Sequence, residues 1–388
     1  MTTRVLVNIA ELTTNDPSLG DGTAQGRLHD AAIVVDDDCV VWVGHNADAP
    51  DADERLDVGA AAVVPGFVDS HTHLVFAGER CDEFEARMAG GRYDGGGIAR
   101  TVEATRSASD EALQRSTSTR LGELRSGGVT TVEMKSGYAL DVDGEARLVR
   151  LAAGFTDEVT FLGAHVVAPE FTHDRDGYLD LVTGPMLDAC ALESKWVDVF
   201  CDTGAFSVDE ARRVLVAGVA RGLQPRVHAN QLGDSGGVML ALEVDAASVD
   251  HCTYLSDHEV EALAASRTVA TLLPGADFST KAPYPSARRL LDAGVVVALA
   301  TDCNPGTSYV TSMPFVIALA VREMGMTFDE ALWAVTRGGA LALRRSDIGH
   351  LGIGARADLV ILDAPRAAHL AYRPGGTVVR GTLRSKRD

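Results

Sequence analysis

Eight apolar runs alternate with helix-patterned stretches through the middle of the chain, and this alternation constrains the fold more than any other feature. The runs are 63–71, 129–135, 158–166, 197–201, 225–228, 247–251, 268–273 and 295–300. Taken together they read as the near-continuous apolar strands of a sheet buried on both faces rather than the alternating strands of a half-exposed one. Helical patterns such as 209–221 and 256–265 separate them. Buried strands joined by helices form a parallel sheet, and eight of them predict a closed (β/α)8 barrel, with the open doubly wound sheet as the alternative.

The two chain ends read differently. Short strands are expected at 4–9, 31–35 and 39–43, the last two as a hairpin around Asp36, Asp37 and Asp38. Strands at 357–362 and 377–379 resemble them. Neither end can bury a core alone, so the two are predicted to pair into one small β-sandwich, with 1–64 and 344–388 flanking a barrel at 65–343. A chain of 388 residues, 46% hydrophobic, is long enough for a barrel of ~250 residues and such a module.

The chemistry falls at the strand ends, where a barrel of this kind carries its active site. The first run ends in His71-Thr72-His73, and residues two apart on a strand face the same way. The fifth run ends in His228, the sixth in His251, and the eighth reaches Asp302. Three neutral imidazoles and a carboxylate suit one borderline divalent metal, zinc or iron. Any one of these histidines alone reads as an ordinary core residue; the set at strand ends does not. Cys303, beside Asp302, points the other way along the strand and reads as packing.

Composition excludes several alternatives. A formal net charge of −20 repels nucleic acid and anionic membrane. No run approaches the ~20 apolar residues of a spanning helix, and 1–10 lacks a signal-peptide core. Six cysteines without a CxxC pair read as reduced thiols, so a cytoplasmic protein is expected.

Several motifs then carry a resemblance. The run from Pro65 to His73, PGFVDSHTH, resembles the signature of the amidohydrolase superfamily, and GIGARADLVILD from Gly352 is similar to its returning sandwich strands. Within that superfamily the chain resembles the imidazolonepropionases of histidine degradation. The motifs are HTHLVFAGER from His71, GGGIARTVEATR from Gly95, TTVEMKSGYAL from Thr130, TFLGAH from Thr160, HANQLGDSGG from His228, ATLLPGADF from Ala270 and ATDCNPGTS from Ala300. The resemblance implies metal ligands at His71, His73, His228 and Asp302. It implies substrate contacts at Arg80, Tyr138, His165, Gln231, Asn304, Gly306 and Thr307, and a homodimer. The implied reaction is hydrolysis of the ring C–N bond of a small molecule, 4-imidazolone-5-propanoate, with deamination of guanine or cytosine as the rival. His251 and His165 are expected to donate to the oxyanion, and Asp302 to pass a proton to the departing nitrogen. Gln231 stands where some members carry Glu, and an amide cannot act as a base. The fourth run has no lysine to bridge two metals; Lys135 is on the second and Lys195 precedes the fourth.

Three other motifs read as decoys. Gly233-Asp234-Ser235-Gly236-Gly237 matches a serine-protease nucleophile motif, but here Asp234 and Ser235 read as helix-start residues. Asp141 to Glu145 lacks the full acid set of a calcium loop and reads as a solvated turn. Gly95-Gly96-Gly97 reads as a flexible loop over the site. The acidity, with only four lysines among 35 basic residues, predicts adaptation to high salt. A melting temperature that falls on transfer from concentrated salt to dilute buffer is the expected result, and an unchanged one would overturn this.

Overall fold

The computed structural model describes residues 2–91 and 97–385. Gly95 and Gly96 lie outside the described residues. By internal contacts the chain forms two compact units, one of residues 1–69, 123–131 and 312–388 and the other of 70–122 and 132–311. The fold class is the predicted one, a (β/α)8 barrel with a mixed sheet built from both chain ends.

In the first unit six strands run in the order Val379–Leu383, Leu359–Leu362, Glu54–Pro65, Thr3–Thr13, Arg27–Asp36 and Cys39–His45. Thr3–Thr13 pairs with Glu54–Pro65 in parallel, and the other pairs are antiparallel. The expected hairpin turns at Asp37, whose φ is 49°. Asn8, Asp30 and Ala60, on three adjacent strands, also have positive φ, and the ladder slips beside Asn8. Against Glu54–Pro65 the register slips twice, between Val7 and Ile9 and again between Ile9 and Glu11, and these two parity shifts let Leu6, Ile9 and Leu12 enter the same core. Leu359 from the other chain end joins that core.

The apolar run 63–71 is not one strand. Val63 to Pro65 ends the long sheet strand, Gly66 interrupts, and Phe67–Asp69 is a separate strand paired with Val129–Val132. Phe67–Asp69 leads directly into His71.

In the second unit a parallel sheet runs through Met134–Lys135, Val159–Ala164, Trp196–Cys201, Val227–Ala229, Ser248–His251, Val269–Leu272 and Val297–Leu299. Backbone bonds from Asp302 N to His71 O (3.1 Å), His73 N to Cys303 O (3.0 Å) and Lys135 N to Thr72 O (3.0 Å) join its two edges and close the ring. Two predicted runs are broken by single residues, 129–135 at Glu133 and 225–228 at Arg226. Both are fully buried charges.

The outer helices have clear starts. Val208–Val219 opens on a capping box in which Ser207 and Glu210 satisfy each other's backbone amides. Arg175 forks onto Glu210 with bonds of 2.9 and 2.8 Å, and this partner holds the carboxyl down at about 2. Ser207→Ala should lower stability by about 1 kcal/mol, read as a drop in Tm. Because its pKa is depressed, Glu210 stabilises the fold above the ordinary carboxylate range, and that contribution is lost as pH falls toward about 2. The Tm difference between the native protein and Glu210→Gln should therefore shrink in acid.

Candidate functional site

The strand ends of the second unit gather most of the predicted residues around one pocket. Its lining includes His73, Arg80, Tyr138, His165, His228, Gln231, His251, Asp302, Asn304 and Thr307. Two residues that the sequence reading missed complete the wall, Ile98 and Phe200. His71 lies fully buried beside His228, with ring centroids 4.4 Å apart. Gly306 contributes through its backbone: its amide donates to Asn304 Oδ1 and its carbonyl accepts from Arg87. A Cβ at 306 would stand 2.3 Å from Arg80 Nη1, so only glycine lets that guanidinium in.

Asn230, His251 and Asp302 follow or end strands five, six and eight with φ of 55°, 81° and 51°. Non-glycine residues at such angles are strained, and the surrounding bonds must hold them. Asn230 is held by donating to Tyr254 O and Glu259 Oε1.

Four donor atoms converge. His71 Nε2 and His73 Nε2 each lie 3.5 Å from Asp302 Oδ1, and His73 Nε2 faces His228 Nε2 at 3.3 Å. His251 closes a further group with His71 and His228. Burial, reinforced by neighbouring positive charge, pushes His71, His73 and His251 well below the ordinary imidazole range, so their lone pairs are available.

Behind this layer stands a second one that the sequence reading did not single out. His71 Nδ1 donates to Asp250 at 2.7 Å, which turns Nε2 inward. Asp250 also accepts from Arg226 at 3.3 Å, and Arg226 donates to Ser70 O. His228 Nδ1 lies 3.0 Å from Asp198, and Lys135 Nζ lies 2.9 Å from the same carboxylate and 2.8 Å from Glu133. Burial opposes ionisation of Asp198 and Asp250. His228 and Lys135 nonetheless hold Asp198 well below the usual carboxylate range, and Arg226 and Lys135 lower Asp250. The available signal was a charge inside an apolar strand, as in Trp196-Val197-Asp198-Val199.

Several assignments change. His165 Nδ1 lies 3.0 Å from Gly137 O, which can only accept, so Nδ1 carries the proton. Burial pushes the ring down to about 4, and the neutral ring presents Nε2 as an acceptor, whereas the expected oxyanion role calls for a donor there. The Asn304 amide is committed to its own loop, donating to Asp302 O and Thr307 Oγ1 and accepting from the amides of Gly306 and Thr307. Arg80 is forked by Glu83, at 2.9 and 2.6 Å. Asp234 and Ser235 are not the helix cap; that residue is Gly236, and Ser235 Oγ donates to Asn230. Asp141 is a helix N-cap, accepting from Gly144 N, rather than a free turn.

The amidohydrolase family matches residues 89–384. The imidazolonepropionase of Streptomyces griseus is 60% identical over 385 residues, spanning 99% of both chains. That of Mycolicibacterium smegmatis is 60% identical over 386 residues, spanning 99% of this chain and 97% of its own. The chain belongs to the imidazolonepropionases of the amidohydrolase family.

Imidazolonepropionases are hydrolases of C–N bonds, and this chain is one. Among solved structures, a variant of the atrazine chlorohydrolase of Arthrobacter aurescens, complexed with zinc, aligns with a TM-score of 0.74 at 17% identity, covering 98% of this chain and 94% of its own. An adenosine deaminase from Xanthomonas campestris with bound zinc gives 0.71 at 19%, covering 98% and 91%. At such identity the likeness carries the fold alone. For the divalent metal of the family, the donors fit. Ligand bonds of 2.0–2.1 Å in a tetrahedron set ligands about 3.3 Å apart, close to the separations among His71, His73, His228 and Asp302. His71 Nε2 is buried without a hydrogen bond, as a ligand atom would be. Asp198, His228 and Asp250 are also close together, but Lys135 and Arg226 already neutralise those carboxylates. No helix among the described residues is long and apolar enough to cross a membrane.

Lys135→Met should weaken metal binding ~10- to 100-fold, since it frees Asp198 from its orienting partner. It should also lower stability by about 3–5 kcal/mol by stranding buried carboxylates. Competition with a chelator reads the first effect and thermal melting the second.

Proposed function

We propose that the pocket hydrolyses the ring C–N bond of 4-imidazolone-5-propanoate, giving N-formimidoyl-L-glutamate in histidine degradation. One observation carries the reading. A donor set competent for a metal and the guanidinium of Arg80 share a single pocket, which suits a planar ring with a carboxylate tail. Guanine and cytosine have no such tail, so the rival deamination leaves Arg80 without a partner in the substrate.

His71, His73, His228 and Asp302 would hold one zinc or iron ion per chain. When bound, that ion supplies a water acidic enough to attack at neutral pH and polarises the ring carbonyl. Lys135 is engaged by two carboxylates and is not free to bridge a second ion. Arg80 binds the substrate carboxylate, which takes over the fork now filled by Glu83. Tyr138 and Gln231 orient the ring, His165 accepts a ring N–H through Nε2, and Thr307 and the Gly306 backbone close the carboxylate side. Ile98 and Phe200 exclude water. Asp302 takes the proton of the attacking water and passes it to the departing ring nitrogen, while His251 donates a hydrogen bond to the oxyanion. Gln231 binds without acting as a base. The protein works in the cytoplasm as a homodimer, with segments 1–64 and 344–388 as one module around a catalytic segment 65–343.

Metal-loaded protein is expected to abolish the ultraviolet absorbance of fresh 4-imidazolone-5-propanoate with formimidoylglutamate as product, and His228→Ala to reduce this to background. Arg80→Ala should raise KM ~10- to 100-fold, the worth of a charged hydrogen-bonded pair. Turnover of guanine or cytosine in place of the imidazolone would move the reaction to the rival class. Gln231→Glu should not raise the rate; a new acidic limb with faster turnover would return base catalysis to that position.

A further inference from the structure

We infer that Glu145 is a positioning residue, which fixes Tyr138 and His165 on the substrate side of the pocket by gripping the loop between them and its own helix. The inference rests on the reading of Tyr138 and His165 as substrate-side residues.

Glu145 lies in the first turn of helix Val142–Ala153 and is fully buried. Its Oε2 accepts from Gly137 N at 2.8 Å, and its Oε1 accepts from Ala139 N at 2.7 Å and Leu140 N at 2.8 Å. The Ser136 hydroxyl is a fourth donor. Burial pushes the carboxyl up, while these donors draw it back. Two carboxylate oxygens have lone pairs for all four; a protonated acid or an amide does not face so many donors without conflict.

The loop needs such a grip. Gly137 has φ 105° and Leu140, which is not glycine, has φ 59°. A Cβ at 137 would meet Leu162 O at 2.9 Å and His165 Nδ1 at 3.2 Å. A backbone in these regions persists only where its surroundings over-determine it. The gripped segment has two outputs. Tyr138 is the residue between two bonded amides, and its ring packs on His73 and His165 at centroid distances of 6.0 and 5.2 Å. Gly137, bonded through its N–H to Glu145, accepts the Nδ1 proton of His165 on its carbonyl. One buried carboxylate therefore sets the orientation of the phenol and both the orientation and the tautomer of the imidazole. Arg106 steadies the same segment from outside by donating to Ala139 O. Loss of this grip lets both side chains drift, and displacements of that kind cost substrate alignment.

The test compares the metal-loaded native protein with Glu145→Gln, which keeps the shape but turns an NH2 group toward an amide N–H. KM for 4-imidazolone-5-propanoate should rise tenfold or more with a smaller change in kcat, and metal content should be unchanged. Hydrogen exchange at the amides of 137, 139 and 140 should accelerate at least tenfold. In a Tyr138→Phe background the effect of Glu145→Gln on KM should shrink, because the two changes act through one contact. Ser136→Ala removes one donor, leaves the carboxylate in place, and should show the same changes in milder form if Glu145→Gln does not fold. Unchanged exchange at the three amides, or effects on KM that simply add, would overturn the inference. If the native protein leaves the imidazolone untouched, the substrate reading fails, and the exchange rates alone decide the grip.

Discussion

Everything at the pocket depends on charges buried beneath it. Lys135 ties Glu133 to Asp198, and Asp198 faces His228; Arg226 meets Asp250, and Asp250 fixes His71. Ions so far from water are costly unless each has a partner at short range. Here Lys135 sits between Glu133 and Asp198, Arg226 pairs with Asp250, and Asp198 and Asp250 each turn an imidazole so that the opposite nitrogen points into the pocket. The cost of burying these charges is offset by the network that orients the ligand atoms, and the same network interrupts the second and fifth barrel strands at Glu133 and Arg226.

A second requirement is backbone strain held in place. Asn230, His251 and Asp302 have left-handed φ at the ends of strands, and Gly137 and Leu140 bracket Tyr138 in the same region. Three of these are held by bonds from elsewhere in the unit: Asn230 through Glu259, the 137–140 loop through Glu145, and Asp302 through its amide on His71 O. Barrel strands supply the rigid frame and the loops that follow them supply reach, so strain concentrates where side chains must converge.

The surface follows different physics. Exposed pairs such as Arg267 with Asp245, Arg213 with Asp180 and Arg221 with Asp188 lie in solvent, where salt screens them and each adds little. They do not neutralise the chain, whose net charge remains −20. The buried network and this acidic exterior are thus separate answers to separate constraints, one of orientation and one of solvent.

The sequence by itself pointed to the barrel, to the pairing of the two chain ends in one module, and to most of the pocket. Near-continuous apolar runs can only be buried strands, and polar residues at their ends stand out against that background. His71, His73, His228, His251 and Asp302 were legible for that reason, as were Arg80, Tyr138 and Gln231 through their motifs. Only the tertiary structure decided the rest. Which strand break separates sheet from barrel at Gly66 depends on partners far along the chain. Asp198, Asp250, Lys135 and Arg226 look in sequence like isolated charges because, apart from Glu133 two residues from Lys135, their partners lie 24 to 179 residues away and meet only when the ring closes. The tautomer of His165 and the commitment of Asn304 to its own loop are facts of hydrogen-bond direction, which no linear pattern carries.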